Sequence, residues 1–237
     1  ASCSDREPLT ESTLKGKFPR FVTEEEQRND RDVEPLKRAD YIALTKGERV
    51  FPWRVIAIAE EDKDIITNQL IFLLSEPCRI EDHSWIRPGK VAWDWWNASS
   101  LIGVDFHSGL NTETYLHFID FAAEFGLEYV LIDAGWYGSH RDIAADITTS
   151  IPGMDIPHLV AYGRERDVGI LLWLNWQNLR NVMDEAFALY EEWGVKGVKV
   201  DYMNRKDQEI VAFYHGVLAA AARQRNASRP YVARRII

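Results

Sequence analysis

Three aspartates, one lysine and several tryptophans stand where short apolar runs end. Asp94 lies within Trp93-Asp94-Trp95-Trp96, Asp133 opens Asp133-Ala134-Gly135-Trp136, and Asp201 follows Lys199 by two residues. A fourth run ends in Trp173-Leu174-Asn175-Trp176. The period of two in a strand puts Lys199 and Asp201 on the same side. An ammonium beside a carboxylate keeps the acid ionised, which suits a nucleophile or an ion-pair anchor. Carboxylates accept hydrogen bonds from sugar hydroxyls, and indoles stack on the C–H face of a pyranose. Paired carboxyls cleave a glycosidic bond through an oxocarbenium-like state. A single Asp after a strand is commonly a helix cap or a turn former. Three in four units, each beside Trp or Lys, favour a carbohydrate site. The competing chemistry, a Schiff base on Lys199, is opposed by Asp201, which keeps the amine charged.

Such groups need a scaffold that gathers strand ends. Apolar runs at 91–96, 129–133, 168–174 and 195–200 predict strands. Between them, helical spacing predicts a helix at 111–125, capped by Asn111 or Thr112 and ended by Gly126. A second helix runs from a cap at Asp155, with Pro157 in its first turn, to about Arg166. A third covers 178–193 and stops at Gly194, and a fourth carries Ile210, Val211, Tyr214, Val217 and Leu218. Strand–helix repeated four times means an α/β fold with a parallel sheet, either doubly wound or part of a (β/α)₈ barrel. No Gly-rich phosphate loop follows the first strand, which disfavours a nucleotide-binding sheet. Four units make only half of a barrel, which typically takes ~250 residues. Ahead of them, residues 41–44, 50–58 and 68–74 read as β-strands. Residues 1–37 are polar and charge-rich, either disordered or a piece of a larger domain. The expected division is 1–85 and 86–237.

Composition excludes several classes. The 237 residues are 46% apolar and 27% charged, an ordinary globular balance. A net charge of −9 disfavours a nucleic-acid partner, and no apolar run reaches the ~18–20 residues of a membrane span. Cys3 and Cys78 cannot build a disulfide framework and read as unpaired thiols. The six histidines show no ligand spacing, so no metal is assigned to them. Of the nine tryptophans, Trp53, Trp85 and Trp193 read as core or domain-interface residues.

The strand ends resemble glycoside hydrolase family 97. The matching stretches are 88–97 (PGKVAWDWWN), 111–115 (NTETY), 129–136 (YVLIDAGW) and 197–203 (GVKVDYM), within a likeness over about 40–223. Residues 51–59 (FPWRVIAIA) look like the end of the family's N-terminal β-sandwich. The resemblance implies the first half of a (β/α)₈ barrel, preceded by the last strands of that sandwich, and a calcium ion near the active site. Of the family's two mechanisms, the retaining α-galactosidase-like branch has a nucleophilic Asp at the end of strand four, where this chain has Asp201. Its relatives by family include inverting α-glucosidases. Lys199 and Asp133 would hold sugar hydroxyls, and Asp94, Trp95, Trp96, Trp136 and Trp173 would line the substrate site. The resemblance places the acid/base Glu and most calcium ligands on later strands, so the chain is expected to be a fragment, weakly active alone or only carbohydrate-binding. Residues 224–237 are Arg-rich and do not match the family's fifth strand. Family habit also implies a periplasmic or extracellular location.

Overall fold

The computed structural model describes residues 6–10, 13–16, 18–50, 53–78, 80, 83–205 and 207–227. The chain divides into one unit of Ala1–Ile42 with Ser84–Ile237 and another of Ala43–His83.

The larger unit is built on a four-stranded, all-parallel sheet. Its strands are β5 (Val91–Trp93), β6 (Tyr129–Ile132), β7 (Gly169–Asn175) and β8 (Gly197–Asp201), adjacent in chain order. The register aligns Trp93, Leu131, Leu171 and Gly197 across the sheet and pairs Trp173 with Lys199 and Asn175 with Asp201, so β7 and β8 run on past the end of β5 at the carboxyl edge. Helices α3 (Thr112–Glu124), α4 (Ile156–Glu165), α6 (Met183–Trp193) and α7 (Gln208–Ala227) complete the repeat, with a short α5 (Trp176–Arg180) directly after β7.

Side-chain alternation gives the two faces of the sheet different surroundings. Val130, Ile132, Ile170, Leu172, Leu174, Val198 and Val200 join Tyr115, Ile119, Leu159 and Phe187 of the helices in the main core. The opposite parity forms a separate, small cluster of Tyr129, Leu131 and Leu171 with Val91 and Trp93. Among the described residues the helices thus cover one face of the sheet. A doubly wound sheet would carry helices on both.

Local signals set the helix ends. Asn111 accepts from the Thr114 amide and Asp155 from the His158 amide, each satisfying a free N–H of a first turn. Gly194 closes α6 at φ +88°, a conformation costly for any residue with a Cβ. The helix expected over 178–193 is two helices: α5 already ends at Arg180, Asn181 and Val182 form a turn, and α6 begins at Met183. Phe125, at the carboxyl end of α3, is exposed beside Phe121.

The N-terminal expectations need correcting. The strands lie earlier than foreseen, in two antiparallel hairpins: β1 (Arg6–Thr10) with β2 (Thr13–Gly16), and β3 (Val22–Gln27) with β4 (Val33–Arg38). Val33 enters the main core, so the second hairpin is anchored there. Residues 41–44 and the described part of 50–58 are irregular, and 68–74 contains a helix. The 43–83 unit holds α1 (Asp62–Ile66) and α2 (Leu70–Leu74), neither with a buried residue. A continuous apolar run without alternation carries no strand signal of its own. It becomes a strand only with a pairing partner, and this unit offers none among its described residues; Asn68 instead accepts from the Leu70 amide. Trp53, expected in a core, is 92% exposed, whereas Trp85 is buried. Cys78 is exposed and unpaired, and Cys3 lies outside the described residues.

Candidate active site

The carboxyl ends of β6 and β8 bring Asp133, Lys199 and Asp201 together on the face away from the helices. Lys199 Nζ stands 3.1 Å from Asp133 Oδ2 and 3.8 Å from Asp201 Oδ2. The same ammonium lies 4.1 Å from the ring centroid of Trp93, a cation–π contact. Asp133 is buried, and both its oxygens accept: Oδ2 from the Trp93 indole at 2.6 Å and from Lys199, Oδ1 from the Ala134 amide at 2.8 Å.

Asp201 is held differently. Its Oδ2 accepts from the Trp173 indole at 3.1 Å and its Oδ1 from the Tyr202 amide at 2.7 Å, yet its side chain stays 39% exposed. Tyr202 has φ +66°, so the chain turns sharply just after Asp201. A non-glycine residue in that region costs of order 1 kcal/mol or more and persists only where its surroundings hold it. The result is a fixed, accessible carboxylate beside a cation.

Asp94 is the most deeply buried of the three aspartates, 1% exposed, in the 3₁₀ turn Asp94–Asn97 that follows β5. Its Oδ2 accepts from the hydroxyls of Ser99 and Tyr115, while Oδ1 is buried without a hydrogen-bond partner. Burial raises the Asp94 carboxyl above the ordinary range, against the lowering effect of those two hydroxyls. Tyr115 is pushed well up by its own burial and then by the negative charge of Asp94.

The tryptophans separate. Trp95 and Trp96 are exposed at the same sheet edge, Trp96 by 80% and edge-on to Trp93. Trp173 is buried and reaches the site only through its indole N–H on Asp201. Trp136 lies in the core, donating to the Trp173 carbonyl and edge-on to Tyr137 and Tyr190, so it offers no face to a sugar. Sequence reasoning missed Trp93 as a partner of Asp133 and Lys199. Its signal was present: it occupies the inward parity of β5, as Asp133 does one strand over.

A parallel α/β sheet with carboxylates, an ammonium and indoles at its strand carboxyl ends has its site where such sheets bind small molecules. Residues 93–227 match the family model described as Glycoside hydrolase 97, and residues 6–77 match that of Glycosyl-hydrolase 97 N-terminal. The chain belongs to glycoside hydrolase family 97. It is 45% identical over 174 residues to a "Retaining alpha-galactosidase" of Bacteroides thetaiotaomicron, covering 73% of this chain and 26% of that protein. It is 31% identical over 185 residues to a "Probable retaining alpha-galactosidase" of Streptomyces bingchenggensis, covering 77% and 28%. A solved family 97 enzyme from Pseudoalteromonas sp. strain K8, in complex with acarbose, superposes with a TM-score of 0.60 at 27% identity, over 70% of this chain and 30% of that one. The chain thus spans roughly a quarter of the length of the curated relatives it matches.

Calcium, implied by the resemblance, can be tested against the side chains present. Among the described residues no three His, Cys, Asp or Glu side chains are grouped so as to hold a metal ion. Calcium also takes carbonyl oxygens and water, so no ligand set is assigned to it among the described residues, and none of the chemistry below runs through the ion.

Proposed function

We propose that this chain carries the nucleophile half of a retaining α-glycosidase site acting on terminal α-galactosides. The observation that supports it most is Asp201: exposed, aimed from a strand end, and held by an indole, a backbone amide and a neighbouring ammonium. In the first step an Asp201 carboxylate oxygen attacks the anomeric carbon. The C–O bond to the aglycone breaks with its electron pair, and the departing oxygen takes a proton from an acid. Water then attacks the glycosyl ester, losing a proton to the same group and freeing Asp201. Lys199 and Asp133 offer a donor and an acceptor to ring hydroxyls, with Trp95 and Trp96 at the near wall.

The acid must stand about 5–5.5 Å from the nucleophile. Asp133 has both oxygens taken by donors, and Asp94 is buried beneath the surface. Neither is free to serve, so the acid/base comes from outside the described residues. With it we propose that the sheet is the first four strands of a closed barrel and that the N-terminal hairpins belong to a β-sandwich. The calcium ion would take its ligands mainly from later strands, and the setting would be periplasmic or extracellular. The lack of a free acid also favours a second reading, a carbohydrate-binding remnant. An α-glucosidase of the same family remains the alternative in substrate.

Covalent trapping separates these. A fluorinated α-galactosyl donor with a good leaving group needs little acid help, so the chain should take one label, located by peptide mass at Asp201 and absent in Asp201→Asn. A fluorinated α-glucosyl donor that labels faster would reassign the sugar. Sugar affinity without any label on a folded chain would favour the remnant.

A further inference from the structure

The tip of the β3–β4 hairpin lies against the segment that follows Asp201. Asn29 closes this tip into a rigid turn, its side-chain oxygen accepting from the amides of Arg31 at 2.8 Å and Asp32 at 2.9 Å. The Asp30 carbonyl accepts from the side chains of Asn175 at 3.0 Å and Gln177 at 3.1 Å, at the end of β7. Arg31 sits with its guanidinium 4.1 Å from the Tyr202 ring centroid and donates to the Tyr202 hydroxyl at 3.1 Å. Asp32 accepts from Asn204 at 3.0 Å, and Glu25 pairs with Arg205 at 3.0 Å. Tyr202, Asn204 and Arg205 are thus each held by this one hairpin, about 170–180 residues away in sequence.

We infer that Arg31 is a positioning residue for the nucleophile, acting through Tyr202. Tyr202 is the left-handed residue whose amide fixes Asp201 Oδ1, so anything that lets it relax also lets the carboxylate turn. Arg31 supplies two contacts at once, a flat cation over the ring and a donor on the hydroxyl, which confine the side chain in tilt and in reach. The same ring also meets further aromatic groups, with Trp173 edge-on at 5.2 Å and His140 tilted at 5.9 Å. Trp173 in turn donates to Asp201 Oδ2. Both carboxylate oxygens are therefore set by groups that touch Tyr202, and Arg31 closes that set from the N-terminal side. The role rests on Asp201 being the nucleophile, as proposed above.

Two readouts on the full chain test this. The first needs no activity: amide hydrogen exchange at Tyr202 should quicken by about tenfold in Arg31→Ala, with β6 amides unchanged. The second is the Asp201 trapping reaction. At saturating donor, Arg31→Ala should label about tenfold to a hundredfold more slowly, with the half-saturating donor concentration unaltered, as expected when a reacting atom is misplaced. Arg31→Lys, which keeps the charge but not the planar fork, should recover part of both. Should Arg31→Ala fail to fold, Tyr202→Phe removes only the hydroxyl acceptor and should move both readouts the same way by less. Unchanged exchange, or labelling as fast as in the parent, overturns the positioning role while leaving Asp201 as nucleophile. A parent chain that takes no label overturns the nucleophile reading and this role with it.

Discussion

Asp94 shows how one residue can couple the site to the stability of the fold. Its carboxyl is buried, bonded to two hydroxyls through one oxygen, with the other oxygen unpartnered. Burial raises its pKa in the folded chain, so the folded state binds the proton more tightly than the unfolded one. The stability this confers is full below the unfolded carboxyl pKa of about 4, and it is lost as pH rises through the higher folded value. Asp94→Asn keeps the shape of the protonated form and does not titrate. The melting temperature of Asp94→Asn minus that of the parent should therefore be smallest near pH 4 and should increase toward pH 7. A difference that shrinks over that range would mean that Asp94 is stabilised as the anion. At this scale the sequence was informative where polar residues sit on strands: period two and the strand ends were enough to bring Lys199, Asp133 and Asp201 together. It was uninformative for Trp136 and Trp173, because an indole beside a strand end can turn toward the core or the cleft, and burial decides which. Arg31 and Tyr202 could not be joined from the sequence at all, since no local pattern relates residues 171 apart.

Among elements, the α4–β7 junction is the place where a missing side chain fixes the packing. A Cβ on Gly163 would stand 2.5 Å from the Val168 carbonyl oxygen, a backbone atom that also begins the run into β7. The Val168 amide donates to the Gly163 carbonyl at 2.8 Å, so helix and strand entry are locked at close approach. Gly163→Ala should cost about 1–3 kcal/mol by overpacking, despite alanine's better helix propensity. Chemical denaturation would register it as a lower midpoint, and a midpoint at or above the parent's would show that β7 can shift outward. The four strand–helix pairs were legible because each combined an apolar run, a cap and a glycine or polar stop. The residues before them were not, for a physical reason: an apolar run such as 68–74 takes its conformation from its neighbours, and its own pattern does not choose. The β3–β4 hairpin was hidden by the opposite effect, charged side chains on strands whose outward positions are solvated.

For the whole molecule, the decisive feature is a sheet with helices on one face and the reactive groups on the other. Among the described residues that second face carries a small apolar floor of Tyr129, Leu131 and Leu171 with Val91 and Trp93, beside Lys199, Asp133 and Asp201. A surface of that make-up fits the inside of a barrel, where further strands would complete the floor and bring in a second carboxyl. Because the chain spans only about a quarter of its curated relatives, chemistry and context can be separated by exchange. The chain alone should accept the activated donor at Asp201 and yet turn over a natural α-galactoside far more slowly than a full-length relative. Grafting residues 93–227 in place of the matching segment of the Bacteroides thetaiotaomicron protein, with which the chain shares 45% identity, should restore turnover. Asp201→Asn in that chimera should lower the rate by on the order of a thousandfold or more, since Asp133 and Asp94, the other carboxylates described at the strand ends, are both buried. A folded chimera that remains inactive would mean that the segment has lost its chemistry. One that stays active after Asp201→Asn would move the nucleophile to another residue. Restored turnover that depends on Asp201 would establish that this half of the sheet retains a working nucleophile and lacks only its acid.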